Sequence, residues 1–138
     1  MKFTRRDSIL IAAGATATAM LPMRAFAAGE DEIAAFTGGA AIGDSGVTLT
    51  APEIAENGNT VPVEVNAPGA VSIMVLALGN PNPGVCTFNF GPLAGAQYGS
   101  TRIRLSKTQT VTAIAKMADG SFAQASSEVK VTIGGCGG

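Results

Sequence analysis

The sequence predicts an all-β fold, an immunoglobulin-like antiparallel sandwich of about seven strands, with a short N-terminal helical segment and a flexible C-terminal arm. Three observations lead there. From Val47 onward, apolar residues alternate with a period of two, the mark of half-buried strands. Turn signals interrupt these runs at spacings of about 8 to 15 residues. No long stretch of helical periodicity competes with them, and the 138 residues suffice for one domain with one core.

The elements follow in order. Residues 1–27 read as a cleaved export signal, with a basic start, a short apolar middle from Ile9 to Leu21 and a small-residue end at Ala25-Phe26-Ala27. The middle is diluted by Gly14, Thr16 and Thr18 and falls short of the ~20 apolar residues that a bilayer span needs. The Arg5-Arg6 pair resembles the twin-arginine signal used to export folded proteins, although Ser8 stands where that pattern usually carries Phe. The general secretory route is the alternative. Either route predicts a periplasmic location.

Residues 28–46 form an N-terminal arm in which only Gly29–Gly39 looks helical; it reads as a partner-binding segment or as a loose new N-terminus. The sandwich is expected over 47–133. In "NTVPVEVNA", Val61, Val63 and Val65 share the inner face while Glu64 and Asn66 face out; in "STRIRLSK", Ile103 and Leu105 face in and Arg102, Arg104 and Ser106 face out. In "SSEVKVTI", Val129, Val131 and Ile133 are expected to face in. "AVSIMVLAL", from Ala70, is apolar on both faces and suits a central strand, and "TVTAIAKMA", from Thr110, is nearly so. Met74 and Met117 read as core. Asn80-Pro81-Asn82-Pro83 reads as a rigid turn without a chemical role. Arg102 and Arg104 read as a solvated face, with contact to a partner or an anionic substrate as the second reading.

Composition removes whole classes of function. The chain has no histidine and no tryptophan, so there is no imidazole metal site and no Ser-His-Asp or Cys-His pair. Of 9 basic and 10 acidic residues, the signal holds Lys2, Arg5, Arg6, Arg24 and Asp7, which leaves the mature chain with five against nine. An acidic body without a basic stripe is a poor partner for nucleic acid or an anionic membrane surface. Proteins and small molecules remain.

The two cysteines sit in opposite settings. Cys86, in "VCTFNF", shares a face with Phe88 and Phe90 and reads as a small buried hydrophobe. Cys136 sits in the terminal "GGCGG", with Gly134 and Gly135 before it and Gly137 and Gly138 after it. Residues 134–138 read as a swinging arm. Glycines raise the entropy that a fixed contact must overcome by roughly 0.5–1 kcal/mol each relative to alanine, which weakens a staple and suits a moving arm. An intramolecular Cys86–Cys136 disulfide remains open in an oxidising compartment. So does a structural reading, in which the sandwich is a subunit of an exported assembly cross-linked by an intermolecular disulfide through Cys136. A terminal thiocarboxylate on Gly138 would need ATP-dependent adenylation, prenylation needs a cysteine fourth from the end, and a thiol oxidoreductase needs a C-x-x-C pair.

The tail, with "LTAPEIAENGNTVPVEV" at 49–65, "NPNP" at 80–83, "TF" at 87–88, "STRIRLSKTQTVTAIAKMADG" at 100–120 and "VKVTIGGCGG" at 129–138, resembles the SoxY family. These are the sulfur-carrier subunits of the SoxYZ complex in the bacterial sulfur-oxidising (Sox) system. The resemblance implies a covalent carrier rather than an enzyme, with thiosulfate-derived sulfur attached to Cys136 and no catalytic, cofactor-binding or metal-ligating residue on the chain. It implies SoxZ as the heterodimer partner. It also implies transient complexes with the haem thiosulfate-coupling enzyme SoxAX, the sulfate-releasing dimanganese hydrolase SoxB and a molybdenum-haem sulfane dehydrogenase. Cofactors belong to those partners. Cys86 is not part of the family signature.

Overall fold

The computed structural model describes the backbone of residues 24–135 and side chains from Gly29 onward. Most of the expected signal, as well as Cys136, Gly137 and Gly138, lies outside the described residues. A helix α1 (Arg24–Thr37) precedes nine strands: β1 (Ile42–Gly43), β2 (Thr48–Thr50), β3 (Ile54–Ala55), β4 (Val61–Asn66), β5 (Ala70–Ala77), β6 (Gly84–Asn89), β7 (Tyr98–Ile103), β8 (Gln109–Met117) and β9 (Phe122–Val131).

They form a sandwich of two unequal sheets. The larger runs β1-β9-β8-β5-β6, with β3 also on β9, and the smaller runs β2-β4-β7. The long strands pair antiparallel, as the alternation predicts. The two short strands β1 and β3 pair parallel to β9. These pieces of two residues each are too short to show a period, which is why the strand count exceeds the expected seven.

Alternation sets the core. Val61, Val63 and Val65 are buried from the smaller sheet and Ile73, Val75, Val111, Ala113 and Val129 from the larger, all at 1% exposure or less. Each fully buried valine or isoleucine contributes roughly 1.5–3 kcal/mol by leaving water. The outer face of the larger sheet is apolar too, as expected for "AVSIMVLAL", and α1 covers it. Met74, Leu76, Ile114 and Phe122 meet Ile33 and Phe36 there, and the Phe36 and Phe122 rings pack edge to face at 5.9 Å. The helical segment is therefore part of the body. The β8–β9 turn is held by Asp119, whose carboxylate accepts from Ser121 Oγ at 2.6 Å and Ser121 N at 2.9 Å. Those bonds, the hydroxyl's first, hold its carboxyl below the usual carboxylate range.

One expected core residue is not core. Ile133 is 66% exposed: β9 ends at Val131, and the chain bends at 132–133 while staying bonded to Ala55 and Gly58. Val131 is only half-buried and Val129 fully buried, so burial fades along the last strand.

Candidate functional site

The described part of the C-terminal tail is held by backbone bonds. The parallel ladder between β3 and β9 continues past both strands: Lys130 N donates to Glu53 O at 2.9 Å, Thr132 N to Ala55 O at 3.0 Å and Gly58 N to Ile133 O at 2.7 Å. Leu105 N then donates to Gly58 O at 2.7 Å, and Gly135 N to Leu105 O at 2.8 Å. Gly58, Leu105 and Gly135 thus form a clamp at one end of the sandwich. It holds the chain immediately before Cys136.

Glycine is required at this clamp for close approach. A Cβ on Gly58 would collide with Leu105 O and lie 2.7 Å from Gly135 N and 2.9 Å from Ile133 O. A Cβ on Gly134 would collide with Ser106 O, and one on Gly135 would lie 2.7 Å from Gly58 O. The sequence assigns Gly134 and Gly135 to a free arm; here both rest against the backbone of Gly58, Leu105 and Ser106. They serve contact as well as freedom, because three backbones meet where no side chain fits.

The loop under the clamp is fixed by a buried polar network centred on Asn80, which is 1% exposed. Its Nδ2 donates to Arg104 O at 2.8 Å, and its Oδ1 accepts from Ser106 N at 3.0 Å, Ser106 Oγ at 3.1 Å and Gln109 Nε2 at 2.8 Å. Gln109 Oε1 accepts in turn from Gly79 N at 2.9 Å. Thr108 Oγ1 accepts from Val131 N at 2.9 Å, which ties the same loop to the end of β9. Among the described residues, no buried side-chain nitrogen or oxygen lacks a partner. The "NPNP" turn therefore has a role that its sequence does not announce: it supports residues 104–109, on which the tail rests. Gly58, in "ENGN", was legible only as a turn residue for the same reason. Both act through residues far away in sequence.

Cys86 lies on β6 as a free, half-buried thiol. It packs against the core beside Phe88 and Phe90, on the face that alternation predicts. Burial raises its pKa above the ordinary thiol value, which lowers its nucleophilicity at neutral pH. Its outer side opens on a cleft of about 240 Å³ bordered by Glu32, Met74 and Thr87. Arg102 and Arg104 are exposed, as expected, and Arg102 Nη1 reaches Thr60 Oγ1 at 3.4 Å. Among the described residues, no group of three or more Cys, Asp or Glu side chains is placed to hold a metal ion.

Fold and clamp together define a class: a small β-sandwich protein whose last described residues are held by backbone bonds at one end of the sandwich. A family model described as "Sulfur oxidation protein SoxY" matches residues 33–136, and the chain belongs to the SoxY family. Among solved structures, the sulfur carrier protein SoxY from Chlorobium limicola f thiosulfatophilum is 38% identical, with a TM-score of 0.66 over 75% of this chain and 96% of that one. A superoxide reductase (neelaredoxin) from Ignicoccus hospitalis matches at 21% identity and a TM-score of 0.55, over 63% of this chain and 80% of its own. That likeness shows the fold alone. A search of the curated proteins returns no match. Family membership and the likeness to the SoxY structure support a carrier role in sulfur oxidation.

Proposed function

We propose that the chain carries sulfur intermediates covalently on the thiol of Cys136 and presents them to partner enzymes in the periplasm, itself performing no catalysis. One observation carries this reading: the match to the SoxY family runs to residue 136, so it takes in the cysteine with the diglycine before it. The clamp supports it, because a fixed exit point gives every partner the same place to find the tail.

The chemistry suits a carrier. The thiolate is the nucleophile, and only a few per cent of an ordinary exposed thiol is ionised at neutral pH. In the loading step, a bond forms between Cys136 Sγ and the outer sulfur of thiosulfate. The thiol proton goes to solvent, and two electrons pass to a haem partner of the SoxAX kind. In the next step, water attacks the terminal sulfonate, the S–S bond to it breaks, sulfate leaves and a cysteine persulfide remains; a SoxB-type hydrolase fits that chemistry. A sulfane dehydrogenase would oxidise the remaining sulfur. SoxZ, as heterodimer partner, and export of the folded pair by a twin-arginine signal complete the reading. Metals and haem stay with the partners.

Intact-mass measurement of the purified protein tests it. A reductant-labile addition equal to one thiosulfate-derived group, mapped to Cys136, is expected. Additions confined to Cys86 would refute the reading. Cys136→Ser should abolish thiosulfate-dependent turnover in the reconstituted system while leaving the fold intact.

A further inference from the structure

The cations of this acidic chain are not spread evenly. Residues 98–118 hold Arg102, Arg104, Lys107 and Lys116 and no carboxylate at all. Three of those four flank Leu105 and Ser106, where the tail is clamped. Beside them, a cleft of about 250 Å³ opens between β6 and β7, each the last strand of its sheet. It is lined by Asn80, Asn82, Gly84 and Val85 on one side and by Arg102, Ile103 and Arg104 on the other. At ~30 Å³ per water it has room for about eight waters, enough for a sulfonate with its sulfur link.

We propose that this cleft is an anion site that receives the anionic end of the sulfur group carried on Cys136 when the tail folds back. The proposal rests on the carrier reading. A cysteine-bound thiosulfonate carries one negative charge on a tetrahedral group of oxygens, and guanidinium pairs bind such oxygens through charge-assisted, bidentate hydrogen bonds. Position makes the site accessible to this cargo. Gly135 N is bonded to Leu105 O, one peptide link of ~3.8 Å separates Gly135 from Cys136, and Arg104 directly precedes Leu105. Asn80 makes the geometry firm, since its buried amide holds Arg104 O on one side and Ser106 on the other. A parked cargo would be kept from adventitious thiols and released by a partner that competes for its charge.

The test compares two adducts of Cys136 in the purified full chain, each checked by peptide mass: the S-sulfonate, made with sulfite and tetrathionate, and the neutral methylthio disulfide. In ¹H–¹⁵N spectra, the Nε–H signals of Arg102 and Arg104 and the amides of Asn82 and Ser106 should move for the S-sulfonate alone. The movement should shrink as salt is raised, and R102Q/R104Q should erase it at Asn82 and Ser106 without changing the thermal midpoint. Equal movement with both adducts, or none at the arginines, overturns the cleft as an anion site and leaves the carrier reading standing. If free thiosulfate at millimolar concentration reproduces the shifts in Cys136→Ser, the site belongs to free anions and the tethered occupant is wrong. If neither reagent modifies Cys136 in the folded protein, the carrier reading itself falls, and the cleft proposal with it.

Discussion

The Asn80 side chain accepts three hydrogen bonds and donates one from a position that water does not reach. Replacing it with alanine leaves Arg104 O and Ser106 N to find other partners, while Gln109 Nε2 keeps its bond to Lys107 O; each buried group left unpaired costs roughly 1–3 kcal/mol. Asn80→Ala should therefore lower unfolding free energy by about 3 kcal/mol, read from urea denaturation. Cys86 gives a different kind of prediction. Its pKa is raised in the folded state by burial, so the unfolded chain releases the thiol proton first as pH rises. Stability from this group is whole below the ordinary thiol value of about 8.5 and is lost as pH climbs through the raised folded value. Cys86→Ala should flatten the alkaline end of the stability profile. An unchanged slope above pH 9 would show that other groups set it. On the same argument, iodoacetamide should modify Cys86 more slowly in the folded than in the urea-unfolded chain.

At the scale of elements, the decisive piece is the continuation of the β3–β9 pairing through Gly58 to Ile133 and from Leu105 to Gly135. It converts a glycine-rich end into an anchored strap. Gly58→Ala forces a methyl group into Leu105 O and Gly135 N, and overpacking of this kind costs about 1–3 kcal/mol. The expected result is that loss in denaturant unfolding, together with faster hydrogen exchange at the Gly135 amide. Full retention of that amide's protection would mean the strap accommodates the methyl group. The strands were the most legible elements. Val61, Val63, Val65, Ile103 and Leu105 all face inward as their alternation requires. Ile133 fits the same alternation and is exposed, because a periodic pattern cannot show where a strand stops being covered. The clamp was illegible for a related reason: Gly58, Leu105 and Gly135 are 47 and 30 residues apart, and each is a common residue in an ordinary local setting.

Across the whole molecule, the described core and clamp end at Gly135. Both core clusters draw their buried residues from Ala55 to Val129, and the last described tail bond is that of Gly135 N. Deleting residues 136–138 should accordingly change unfolding free energy by no more than about 0.5 kcal/mol, the range for substitutions away from packed features. A larger loss, measured by thermal or urea unfolding, would show that the last three residues take part in the body. Core and clamp thus close before Cys136 among the described residues, and on the proposed carrier reading the chemistry lies beyond them.

The sequence by itself determined the sandwich, the inward faces of its long strands, the family and the cysteine in its diglycine setting, because each is written in local periodicity or in a contiguous motif. Tertiary structure alone decided that α1 covers the outer face of the larger sheet, that Asn80 supports the loop under the tail, that Gly134 and Gly135 rest on Gly58, Leu105 and Ser106, and that two arginines border a cleft at that point. These depend on backbone bonds and burial between segments distant in the chain, and no local pattern encodes which distant segments will meet.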